Sequence, residues 1–275
     1  MARRVLPGFG LSLGFTLLYS GLILLLPLTA LVLQLAQMSW AQYWQVITGP
    51  QVVAAYKVTL FAALAASLFN AVFGVLMAWI LTRYRFPGRR ILDGLMDLPF
   101  ALPTAVAGLT LATLFAPNGW YGRFFDSFNI TVVNTWIGIA VAMMFTSIPF
   151  VVRTVQPVLE TLKPEYEEAA ETLGASRFQI FRRVIWPEIA PAALAGTVLS
   201  FTRSLGEFGA VIFIAGNLAW QTEVVSFLIF VRLQEFEYPA AAAIASVVLM
   251  TSLVLLLAVN IIQSRAGLRT GRSHG

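Results

Sequence analysis

The chain contains no cysteine, and its single histidine, His274, is the penultimate residue. The first absence excludes disulfides and cysteine-held metal centres. The second leaves the body of the chain without an imidazole for general base or zinc chemistry. Charge is also scarce, at 11% of residues against about 25% in an ordinary soluble domain. No Gly-x-x-x-x-Gly-Lys-[Ser/Thr] loop occurs, so this chain has no such cradle for nucleotide phosphates.

What the chain has in quantity is apolar side chains, 59% of the total. Several runs exceed the roughly 18 residues that cross a hydrocarbon core. The pattern predicts an all-α integral membrane protein with six transmembrane helices, at about 11–35, 58–81, 94–115, 135–154, 191–214 and 239–262. Together they would make one transmembrane domain over 1–275, with no soluble domain. The first run is much longer than a cleaved signal core of about 7–15 residues, so it is read as a retained span. Pro99 and Pro103 predict a kink or partial unwinding early in the third. Segment 217–238 is too short to cross and suits an interfacial or re-entrant helix on the outer face.

The net charge of +5 does not point to nucleic acid, because its distribution follows the membrane. Arg3, Arg4, Arg83, Arg85, Arg89, Arg90, Arg153, Lys163, Arg177, Arg182, Arg183, Arg265, Arg269 and Arg272 fall on one side of a six-span chain. The opposite loops hold only Arg123 and Arg232, with Lys57 at a boundary and Arg203 inside a span. By the positive-inside rule both termini are cytoplasmic.

The loop at about 160–190 carries both signs of charge. Pro164 suits a first helical turn, and Glu165, Glu167 and Glu168 favour that helix's N-terminal dipole. Ala169, Ala170 and Leu173 supply an apolar edge, Gly174 a break, and Ser176 a new N-cap. A second helix over 177–186 is expected to place Phe178, Phe181 and Ile185 on one face, with Pro187 ending it. On these residues alone, a hairpin lying on anionic lipid and an elbow gripping a soluble partner both remain open.

The spacing Glu168-Ala169-Ala170, three residues, Gly174, nine residues, Val184-x-x-Pro187 resembles the signature (EAA) loop of permease subunits in ABC importers. Val184 and Trp186 stand where that family usually has isoleucine and leucine. The resemblance implies a type I importer permease whose coupling loop docks into the cleft of separate ATPase subunits. Glu168, Ala169, Ala170, Gly174, Ser176, Phe178, Phe181 and Pro187 would form that docking loop. ATP and magnesium would belong to the ATPase; this chain would bind no cofactor and catalyse no reaction.

Arg203 and Glu207, four residues apart in the fifth predicted span, share a stripe with Gly196 and Ser200. Charges inside a bilayer normally face a bundle interior or a water-filled path, so the stripe fits a pathway wall and a structural ion pair equally well. Asn70, Pro99, Pro103, Ser200, Arg203 and Glu207, with Lys57, are the candidate pathway or gate residues. The strings Arg203-Ser204-Leu205-Gly206-Glu207-Phe208-Gly209-Ala210 and Asp97-Leu98-Pro99-Phe100-Ala101-Leu102-Pro103-Thr104 are similar to those of oxyanion permeases. Over nearly the whole chain the likeness is to the T-type subunit of sulfate/thiosulfate importers, with the molybdate/tungstate permeases next. It implies a bacterial inner-membrane location, a second related permease in a heterodimer, and an extracytoplasmic sulfate/thiosulfate-binding protein. From another class, an ion-coupled secondary anion carrier would need intramembrane coupling groups, for which Glu207 alone is available.

Overall fold

The computed structural model describes residues 9–270, with side chains to residue 261. Arg3, Arg4, Arg272 and His274 lie outside the described residues, as do the side chains of Arg265 and Arg269. The described chain is helical almost throughout and contains no strand.

In order, α1 (Phe9–Leu35), the short α2 (Trp40–Ile47) and α3 (Pro50–Arg83) are followed by α4 (Arg89–Met96), α5 (Leu98–Ala101) and α6 (Thr104–Phe115). Then come α7 (Trp120–Asp126), α8 (Trp136–Thr161), α9 (Pro164–Thr172), α10 (Arg177–Ile180) and α11 (Trp186–Leu205). The chain finishes with α12 (Val211–Ile214), α13 (Val225–Gln234) and α14 (Tyr238–Thr270). Among the described residues, five helical stretches are long and apolar enough to cross a membrane: α1, α3, α8, the continuous run Arg177–Leu205, and α14.

Two expected spans take a different form. The third, 94–115, is not one helix. Pro103 lacks an N–H and forces Leu102 into an extended conformation (ψ 135°), which separates α5 from α6. With 12 residues, α6 rises only about 18 Å, short of a hydrocarbon core of about 30 Å. The fifth span ends at Leu205 rather than near Ile214, because the helix stops at Gly206 and resumes only at Val211. Segment 217–238 holds α13, too short to cross, with Val225 and Leu228 buried against Val52, Ala55 and Ile244.

The centre of the bundle is α3, α8 and α11, and small residues let them approach. A Cβ on Gly74 would lie 2.6 Å from Val151 Cβ, and one on Gly196 would lie 2.8 Å from Val151 Cα. Val151 of α8 is therefore gripped between α3 and α11. Lipid tails are as apolar as leucine, so such close packing, rather than hydrophobic burial, holds membrane helices together. By contrast α1 buries none of its residues and leans on α14. Its open leucines need lipid or another subunit around them.

Candidate functional site

At the α3 C-terminal end of the bundle, α9 and α10 form a glycine-hinged elbow. Pro164 occupies the first turn of α9. That helix closes with Gly174 at φ +80°, a conformation glycine adopts without strain. The Gly174 N–H donates to the Glu171 carbonyl (2.9 Å), and the Ala175 N–H to the Ala170 carbonyl (3.0 Å). This is a Schellman ending, and it satisfies carbonyls that a helix end otherwise orphans. Ser176 then caps α10 in a capping box with Gln179.

The expected single face of Phe178, Phe181 and Ile185 is split. Ile185 is buried, Phe181 packs between Trp79 and Trp186, and Phe178 stands 70% exposed. Nor does Pro187 end a helix. Residues 181–185 form a π turn in which the Trp186 N–H reaches the Phe181 carbonyl, and the helix runs on into α11. The wider turn relieves the clash a proline makes with the carbonyl four residues back.

One side of the elbow is tied to the bundle. Glu167 pairs with Arg83 at 2.5 Å, and Arg83 lies 5.4 Å above the Trp79 ring. Phe181 meets the same Trp79 ring edge to face, and Ala170, Ala175, Ile180 and Ile185 pack with Leu81, Val155 and Leu159. The other side is open: Glu168, Ala169, Leu173, Ser176 and Phe178 are exposed. A short apolar and acidic surface on an anchored lever can press against another protein and transmit its movement.

A second cluster lies inside the bundle. The Asn70 amide nitrogen is 2.9 Å from Ser147 Oγ, 3.2 Å from Ser200 Oγ and 3.1 Å from the Met144 carbonyl. Ser204 donates to the Ser200 carbonyl. Asn70, Ser147, Ser200 and Ser204 are wholly buried, so in this conformation they join α3, α8 and α11 rather than face open space.

Beyond it lies the break after α11. Arg203 reaches Glu207 Oε2 at 2.7 Å, with the carboxylate 1% and the arginine 34% exposed. Glu207 Oε1 accepts the Ala210 N–H (3.0 Å), and Ser226 Oγ donates to the Glu207 carbonyl (2.6 Å). Glu207 thus sits in the break rather than within a helix, and still pairs with Arg203. The break interlocks with the start of α6: a Cβ on Gly108 would meet the Ala210 carbonyl at 2.3 Å, and one on Gly209 the Thr104 hydroxyl at 2.1 Å. Of the two prolines, Pro99 is buried and Pro103 exposed; Lys57 is exposed on α3.

Sequence reasoning passed over a third group. Arg153 binds Asp97 through two nitrogens (2.8 and 2.6 Å) and Asp93 at 2.6 Å, clasping α4 and α5 to α8. An arginine closing one predicted span and two aspartates at the start of another, Asp93 just before it and Asp97 just inside, were the available signal.

Over residues 70–270 the chain matches the family described as the inner membrane component of binding-protein-dependent transport systems. It is 74% identical over 268 residues to the sulfate transport system permease protein CysT of Salmonella typhimurium, covering 98% of this chain and 97% of that one. To the protein of the same name from Synechocystis sp. it is 49% identical over 248 residues, covering 90% and 87%. Among solved structures it resembles a bacterial ABC transporter that imports the acidic polysaccharide alginate (TM-score 0.77, 20% identity, 94% and 96% covered). It also resembles the MetNI methionine ABC transporter in an inward-facing conformation (TM-score 0.60, 16% identity, 83% and 99% covered). At these identities the two structures speak for the fold.

Proposed function

The chain belongs to the family of inner membrane components of binding-protein-dependent transport systems, and from that premise we propose that it is the permease subunit that carries sulfate, and thiosulfate with it, into the cytoplasm. Relatives named as sulfate transport permeases support the substrate. The observation that carries the mechanism is the anchored elbow, open on one side and locked to α3 on the other. It is a transport subunit, not an enzyme.

In this reading the elbow faces the cytoplasm, both termini lie on that side, and a separate ATPase supplies the energy with its own ATP and magnesium. Closure of two ATPase subunits presses on Glu168, Ala169, Gly174 and Phe178. Two routes carry the push inward. One passes through Glu167–Arg83 and Phe181–Trp79 into α3. The other is the continuous helix Arg177–Leu205, which ends at the Gly206–Ala210 break where Glu207 and Arg203 meet. Moving that break shifts α6, whose start it holds by glycine-sized clearances.

An extracytoplasmic binding protein supplies selectivity, and the permease offers a weakly polar route that a dianion can leave again. A second, related permease completes the route, consistent with the open apolar surface of α1. The deciding experiment is uptake of labelled sulfate into vesicles holding this chain and its co-purifying subunits. Uptake that requires ATP hydrolysis, and that thiosulfate inhibits more strongly than molybdate, supports the reading. Uptake without ATP would overturn it, and stronger inhibition by molybdate would change the substrate.

A further inference from the structure

The corner joining α3 to α4 encloses a concavity of about 560 Å³ lined by Arg85, Phe86, Arg89, Arg90, Ile91 and Asp93. Among the described residues, none of the three arginines has a carboxylate partner. The one acid in the lining, Asp93, is already held by Arg153 at 2.6 Å. Three like charges within six residues repel one another unless an anion sits among them. The backbone adds to this: α4 begins after Gly88 (φ +87°) with no side-chain cap, and although the Arg89 N–H donates to the Phe86 carbonyl (3.3 Å), those of Arg90 and Ile91 face the same corner as first-turn donors.

The apolar part of the lining narrows the choice of anion. Ile91 is 71% exposed, and Leu95, one turn along α4, is 48% exposed; Tyr84 and Phe86 are open beside them. A free inorganic anion gains nothing from these side chains. A molecule with an anionic head and apolar chains uses both halves. We infer that this corner binds one anionic phospholipid, with the phosphate and headgroup among Arg85, Arg89 and Arg90 and an acyl chain along Ile91 and Leu95. The inference rests on the membrane placement in the reading above, not on the identity of the transported ion.

The position gives the lipid a consequence. Arg83, two residues before Arg85, holds the elbow through Glu167, and Asp93 of the same corner holds α8 through Arg153. A lipid here braces the joint between the coupling elbow and the broken third span.

The test uses the assembled transporter in nanodiscs of mixed phosphatidylglycerol and phosphatidylcholine, with retained lipid read by native mass spectrometry. Each arginine near an anionic surface is worth about a fivefold change in affinity, so Arg85→Gln/Arg89→Gln/Arg90→Gln should weaken phosphatidylglycerol retention by roughly a hundredfold. Phosphatidylcholine retention should not change. Because losing three charges can disturb insertion, the wild type carries an independent arm. Phosphatidylglycerol with a photoreactive acyl chain should label the peptide containing Ile91 and Leu95. Equal retention by the triple variant, or labelling only elsewhere, overturns the assignment. Displacement of the lipid by millimolar sulfate also overturns it, by making the corner a site for free oxyanions. None of these outcomes depends on whether sulfate uptake succeeds.

Discussion

Phe181 meets Trp79 edge to face, with ring centroids 5.8 Å apart, while the Arg83 guanidinium lies over the same indole. The elbow and the last turns of α3 therefore share one aromatic joint. Such a ring pair contributes about 0.5–1.5 kcal/mol beyond its area, enough to keep two elements moving together. Phe181→Ala should leave the chain inserted but lower sulfate uptake per ATP hydrolysed, measured in vesicles. Phe178→Ala removes an exposed ring, so it should spare stability and weaken ATPase co-purification instead. Identical behaviour of the two variants would show that no division of labour exists.

The grip on Val151 gives a packing prediction. A methyl on Gly74 would need to occupy space 2.6 Å from Val151 Cβ, and overpacking of this kind costs typically 1–3 kcal/mol. Gly74→Ala should lower the thermal stability of the purified complex, and Val151→Ala in the same chain should restore part of it. The two substitutions touch, so they should be non-additive. Additive losses would place the strain elsewhere.

How far the sequence spoke for this fold depends on the element. The long apolar helices and the elbow were legible, because length, the Gly174 break and the Ser176 cap are local signals that the backbone obeys. The unwinding early in the third span was legible too, from Pro99 and Pro103, but the end of the fifth was not. Apolar residues continue beyond Gly206–Ala210 to Ile214, yet the helix stops at Leu205, since apolar composition says nothing of backbone hydrogen bonding. The single face expected of Phe178, Phe181 and Ile185 failed at Phe178: Phe181 and Ile185 find tertiary partners in α3 and α8 while Phe178, one turn earlier, is left exposed, and a 3.6-residue period cannot anticipate that. Asn70 and Ser200 were picked out one by one, but their union with Ser147 is a tertiary fact.

Gly174 separates conformation from docking. At φ +80° any side chain is strained, yet a Cβ there would meet nothing within 4 Å. Gly174→Ala should therefore cost only about 1 kcal/mol and reduce uptake modestly. Gly174→Asp adds a charge on the open side of the elbow, so uptake should disappear while insertion and amount in the membrane are kept. Full uptake by the aspartate variant would remove the elbow from the coupling route.

The ion pair after α11 is asymmetric, and the asymmetry predicts unequal effects. Glu207 is 1% exposed and Arg203 34%. Arg203→Gln strands a buried carboxylate whose remaining donor is the Ala210 N–H, and breaking a buried pair in this way costs about 3–5 kcal/mol. Glu207→Gln leaves an arginine that reaches solvent or headgroups, and the amide oxygen can still accept from Ala210, so assembly should suffer less. The double variant should assemble more nearly like Glu207→Gln than like Arg203→Gln. Uptake then decides what the pair is for. If the double variant regains assembly and transport together, the pair only locks the bundle. If assembly returns while sulfate uptake stays low, Arg203 also meets the anion on its way through.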